Sequence, residues 1–233
     1  MEWLVVLVFI AFCALFIIVA ARMETRRTEA WKQVARDIGY EFAERGEIAA
    51  LPGATAFKIF GYGHDERVKN VVTGAEGPAQ VTLCDFQYTT GSGKNASTHN
   101  QTLCLVDTPE VHVPSCFARP QNRFADAIGR MFGGQDIDFA EDPEFSAAYV
   151  LQGKNEGAVR ETFDDKVREY FVAHRDKRWV FEASRGQLCL YTQGRIAPDQ
   201  AASRIADALE ILGVLRGAHK PGGSRRTDSP ESR

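Results

Sequence analysis

A chain of 233 residues has room for one membrane element and one domain, or for a domain of two similar halves. A net charge of −3 provides no large basic field to draw it to nucleic acid. The five cysteines (Cys13, Cys84, Cys104, Cys116, Cys189) form no Cys-x-x-Cys pair, which argues against a zinc ribbon or a thioredoxin-like motif and fits reduced thiols in a cytosolic domain.

Trp3 to Ala21, "WLVVLVFIAFCALFIIVAA", carries no charge. About twenty such residues, rising 1.5 Å each, cross a hydrocarbon core of roughly 30 Å. A backbone in lipid must bond to itself, so a helix is expected here, with Trp3 at the interface. A cleaved signal peptide is the weaker alternative, since it needs a positive start and a shorter apolar run. Lipidation at Cys13 lacks the small preceding residue, because Phe12 stands there. Arg22, Arg26, Arg27, Lys32 and Arg36 all follow the span. The positive-inside rule therefore predicts a single-pass inner-membrane anchor over residues 1–22, with a cytosolic domain over 23–216. The lipid bilayer is the expected partner of that helix, and an envelope or membrane protein is a further candidate.

Beyond the span, Trp31, Val34, Ala35 and Ile38 fall at i, i+3, i+4 and i+7, one face of a helix that Gly39 stops. It follows the membrane segment without a linker, so the domain is expected close to the bilayer. "AFKIF" (56–60), "VKNVVTG" (68–74), "VTLCDFQY" (81–88) and "TLCLVD" (102–107) read as strands of an antiparallel meander. A short helix is predicted over 120–133, opened by Pro120 and ended by Gly133-Gly134. "AAYVLQG" (147–153) reads as a strand, and Asn155 caps a helix carrying Val159, Phe163, Val167, Tyr170 and Phe171. "RWVFEAS" and "QLCLYTQ" form a hairpin around Arg185-Gly186, and Pro198 opens a last helix with Ala201, Ile205, Ala208, Leu209 and Leu212 aligned. From 217 to 233 apolar content vanishes and disorder is expected. The order indicates an α+β domain, mainly an antiparallel sheet with packed helices, behind one transmembrane helix.

Residues 88–102, "YTTGSGKNASTHNQT", contain Gly-Ser-Gly-Lys. A phosphate-binding P-loop needs glycine where Tyr88 stands and Ser or Thr where Asn95 stands, and it must open a helix. The segment reads first as a hairpin loop. It offers Ser92, Lys94, Asn95 and His99 in close succession, which makes them the candidate ligand- or partner-binding residues.

"LCDFQYTTGSGKNASTHNQT" and the later "DIDFAEDPEFSAAYVLQG" resemble a family of uncharacterised bacterial membrane-anchored proteins. In that family an aromatic-rich strand runs into a similar Thr-Thr-Gly-Ser-Gly-Lys turn after one N-terminal span. The likeness covers most of residues 25–215. It implies a bacterial origin and a folded domain, and it transfers no catalytic residue.

Asp136, Asp138, Glu141, Asp142 and Glu144 cluster within nine residues, as a hard-cation site or an acid–base pair could. The EF-hand spacing is absent, and Ile137 and Phe139 point to an extended segment with acids in water. His64-Asp65-Glu66 reads as a solvated turn, and the histidines lack metal-ligand spacing, so neither a metal nor a cofactor is expected. Two functions follow. One is a membrane-tethered binding or assembly module. The alternative is a membrane-anchored enzyme whose site is assembled in space from the 88–102 loop and the 136–144 acids.

Overall fold

The computed structural model describes residues 2–121 and 136–218. Helix α1 spans Glu2–Ile38 without a break. Its apolar part is long and apolar enough to cross a membrane, and none of that window is buried against the domain. Gly39, at φ +75°, takes the left-handed conformation that closes the helix.

Eight strands form one sheet: β1 (Glu41–Gly46), β2 (His64–Glu76), β3 (Ala79–Thr90), β4 (Ser97–Asp107), β5 (Val113–Pro120), β6 (Tyr149–Gly153), β7 (Val180–Arg185) and β8 (Gln187–Tyr191). Their order is β1-β2-β3-β4-β8-β7-β5-β6, with every pair antiparallel. Among the described residues, helices α2 (Pro143–Ala148), α3 (Glu156–Thr162), α4 (Asp165–Ala173) and α5 (Ala201–Ala218) pack with the sheet in an α+β fold.

Both sheet faces are covered, so the middles of β3 and β4 are buried at consecutive rather than alternate positions. On the helix side, Trp31 and Ala35 of α1 join Val72, Val81, Leu83, Phe171, Phe181 and Leu215 in the main core. On the other side, Leu51, Phe57, Ile59 and Phe60 lie over Phe86, Tyr88, Leu105, Phe117 and Tyr191.

Several sequence expectations need correction. "AFKIF" is no strand. Lys58–Gly61 is a short 3-10 turn, and its first N–H groups, at Lys58 and Ile59, donate to the Glu182 carboxylate instead of a neighbouring strand. The predicted helix after Asn155 is two helices. Phe163 leaves helical geometry, and Asp164 starts α4 by accepting the Val167 N–H at 3.0 Å. His64-Asp65-Glu66 opens β2 and is not a free turn. The loop read over 88–102 is mostly strand, and the connection shrinks to residues 91–96. Pro120 ends β5, and the rest of the predicted 120–133 helix lies almost wholly outside the described residues. α5 continues to Ala218, past the start of the disorder expected from 217, and the remainder of that tail lies outside the described residues.

Candidate functional site

Beyond the span, α1 lies on the helix side of the sheet and is fastened there by a buried ion pair. Asp85 projects from β3 and is 5% exposed. It accepts Nε and Nη2 of Arg27 at 2.7 Å each, Asn70 Nδ2 at 2.9 Å and Thr102 Oγ1 at 2.8 Å. A charge this deep persists only when paired and fully hydrogen-bonded, and this one is. One turn nearer the bilayer, Arg195 holds Glu24 through two bonds of 3.0 and 2.7 Å. A cleft of about 220 Å³ opens beside these two pairs, bounded also by Arg67, Lys69, Gln87 and Asn100.

The pairs fix the height of the domain. Arg27 stands level with Asp85, and at the far end Tyr40 Oη donates to Glu76 at 2.8 Å. From Arg27 to the end of the helix at Ile38, two residues before Tyr40, the rise is about 17 Å. Along β3, Asp85 to Ala79, the partner of Glu76, measures about 20 Å of strand. The two axes therefore run side by side. In the other direction, Ala21 lies about 9 Å before Arg27, while β3 continues from Asp85 to Thr90 for about 16 Å. β3 therefore runs from Asp85 toward the apolar end of α1, and the β3–β4 turn lies on that side of the domain.

The turn is built from its own backbone. The Asn95 N–H donates to Ser92 O at 3.1 Å, and the Ala96 N–H to Gly93 O at 3.2 Å. Gly91 sits at φ +74°, and a Cβ there would lie 2.4 Å from the Asn95 carbonyl oxygen. Gly91→Ala is therefore expected to destabilise the protein by about 1 kcal/mol or more, read as a lowered melting midpoint. Ser92, Lys94 and Asn95 are exposed together on this turn. His99 is not a loop residue: it lies in β4, half-buried, its ring stacked on Tyr88 at 4.9 Å and its Nε2 2.9 Å from Thr90 Oγ1. His64 braces the turn from β2, with Nε2 2.9 Å from the Gly91 carbonyl and Nδ1 2.8 Å from Asp65. The bond to Gly91, and then that to Asp65, raises its pKa. The turn leads into β4, so no helix N-terminus awaits a phosphate here.

The acidic segment has other duties. Asp136 accepts Gln152 Nε2 at 2.8 Å, Asp142 caps α2 and binds Arg168 Nε at 2.9 Å, and Glu144 pairs with Arg175 at 2.9 Å. Ile137 and Phe139 are buried between them, as their alternation predicts. Among the described residues no group of three His, Cys, Asp or Glu side chains is placed to hold a metal. The segment also borders β6, four strand steps from β4 and therefore about 19 Å away across the sheet. The structure does not bring the 88–102 and 136–144 segments together into one site.

One feature escaped the sequence reading. Glu182 is 4% exposed in β7, and its two oxygens accept the Lys58 and Ile59 N–H groups at 2.6 and 3.1 Å. Burial pushes its pKa up to about 7, against those two bonds, which lower it. It faces a cleft of about 320 Å³ walled by Phe57, Phe117 and Gln152. A lone acid inside "WVFEAS" was the available signal, as Asp85 was inside "TLCDFQ". Burial raises the thiols of Cys84, Cys104, Cys116 and Cys189, so none of these is an activated nucleophile.

No family model and no curated protein matches this chain. Among solved structures, the crystal structure of the mycobacterial trehalose monomycolate transport factor A, TtfA, is similar to it. The TM-score is 0.52 and the identity 12%, over 84% of this chain and 94% of that one. At that identity the likeness is one of fold: the chain shares with TtfA an α+β architecture.

Proposed function

We propose that the protein is a non-catalytic accessory module of a membrane transport assembly. It is anchored once in the inner membrane, has its domain in the cytoplasm, and touches a membrane-embedded partner through the β3–β4 turn. Ser92, Lys94 and Asn95 make the contact, and His99 holds the strand beneath them. The observation that carries this reading is the direction of β3, which runs from Asp85 toward the apolar end of α1 and carries the turn to that side of the domain. A partner resident in the same bilayer presents its cytoplasmic loops on that side. The five basic residues after the span support the orientation. The fold shared with a transport factor supports the class of assembly, without its particular substrate.

The test uses the tagged full-length protein in membranes, with a photo-crosslinker at Ser92. Crosslinking to an integral membrane protein is expected, and Lys94→Ser/Asn95→Ser should abolish it while the melting midpoint moves little. Exposed side chains away from special features usually change stability by about 0.5 kcal/mol or less. A reporter fused after Arg216 should be active only in the cytoplasm. Periplasmic activity, or crosslinking that ignores the double substitution, would overturn the proposal.

A further inference from the structure

The cleft beside α1 has a chemistry distinct from that of the turn. Arg67, Gln87 and Asn100 are paired across β2, β3 and β4 in one row, and Lys69, Asp85 and Thr102 form the next. Asp85 and Thr102 bond to Arg27 of α1, so the alternation of the strands turns both rows toward the helix. Both acids at the cleft are already matched, Asp85 by Arg27 and Glu24 by Arg195. Arg67 and Lys69 make no ion pair among the described residues, although the charge of Lys69 acts on Glu24. Four cations against two carboxylates leave a surplus of two positive charges. The amides of Gln87 and Asn100 add neutral donors.

The height of the cleft indicates what that surplus meets. Glu24, at its rim, lies about 4.5 Å past Ala21, and a headgroup layer is roughly 5–8 Å thick. A volume of about 220 Å³ has room for a phosphate and a few heavy atoms, and none for an acyl chain. We propose that this cleft binds the phosphate of an anionic phospholipid headgroup, in the leaflet from which α1 emerges. Arg67 and Lys69 carry the charge recognition. Gln87 and Asn100 donate to the remaining phosphate or glycerol oxygens, and the Glu24–Arg195 pair closes the side toward the helix. The site rests on the membrane tether proposed above but not on the protein partner.

The experiment takes the full-length protein in an uncharged detergent and follows its melting midpoint. The additives are dioctanoyl phosphatidylglycerol, dioctanoyl phosphatidylcholine and inorganic phosphate. Phosphatidylglycerol should raise the midpoint in a saturable way, and the other two should not. In Arg67→Gln/Lys69→Gln the apparent affinity should fall at least tenfold. Phosphorus NMR of the wild type gives a second readout: the phosphatidylglycerol signal should broaden and the phosphatidylcholine signal should not. Equal effects of both lipids, an unchanged response in the double variant, or full reproduction of the shift by inorganic phosphate would each overturn the lipid site. Crosslinking at Ser92 reports the partner separately, so either idea can fail alone.

Discussion

Replacing Asp85 with alanine is expected to destabilise the protein by about 3–5 kcal/mol, the cost of leaving half of a buried ion pair behind. Three side chains lose their acceptor at once. The Arg27 guanidinium, 14% exposed, loses both of its carboxylate bonds, and Asn70 and Thr102 lose one each. Arg27 also lies 5.6 Å over the Trp31 ring, so loosening it disturbs the aromatic residue that seats α1 in the core. The contrast is Glu24→Ala, which breaks a pair whose side chains are 42% and 30% exposed. Water screens that pair, and its loss should cost about 1 kcal/mol or less. Thermal melts of the full-length protein in detergent compare the two. For a domain of this size Asp85→Ala should lower the midpoint by roughly 10 °C, and Glu24→Ala by a few degrees at most. Equal shifts would show that Asp85 is not the fastening of α1.

The second large effect is a pH dependence of unusual sign. Buried acids that accept hydrogen bonds usually have depressed pKa values, and the fold then weakens on acidification. Glu182 behaves in the opposite way, because desolvation outweighs its two backbone bonds and lifts it from 4.5 to about 7. Between those values the folded state holds the proton more tightly than the unfolded chain does. Lowering the pH from 7 toward 4.5 therefore stabilises the fold, and the gain is complete below 4.5. Above about 7 both states are ionised and the gain is gone. The rise corresponds to about 3 kcal/mol across the window. His64, also raised, acts in the same direction from the surface. Midpoints of the wild type and of Glu182→Gln, followed from about pH 5 to pH 8, isolate the buried group. The variant gives one backbone N–H a poor partner and is expected to be less stable throughout, by about 1–3 kcal/mol. Its curve should nevertheless be flatter than that of the wild type. Parallel curves would mean that Glu182 titrates normally.

The membrane helix is legible because lipid imposes a single demand, an unbroken apolar run that bonds to itself. Strands β3 and β4 are legible because β-branched and aromatic residues repeat through them. β1 is not, since "EFAERG" forms an edge strand with little buried surface. β5 is hidden by Pro114 and Pro120, which argue against an interior strand. The sheet accommodates Pro114 where its register with β7 slips between Val113 and Cys116. "AFKIF" misleads because apolar residues two and three apart suit a 3-10 turn as well as a strand. The partner that decides between them, Glu182, lies more than a hundred residues away. Tertiary order was the largest loss. β8 and β7 insert between β4 and β5, and this moves the acidic segment beside β6 away from the hairpin.

Because α1 is one helix from the bilayer into the core, the domain has a phase as well as a height. A residue added between Ala21 and Glu24 would lift the sheet by about 1.5 Å and swing it by about 100° around the helix axis. The hairpin and the basic cleft would then face a different sector of the membrane plane while every contact inside the domain stayed intact. The length of this short helical stretch is thus a setting, counted in residues, for the azimuth at which the domain meets its surroundings. A flexible tether would leave that angle undefined.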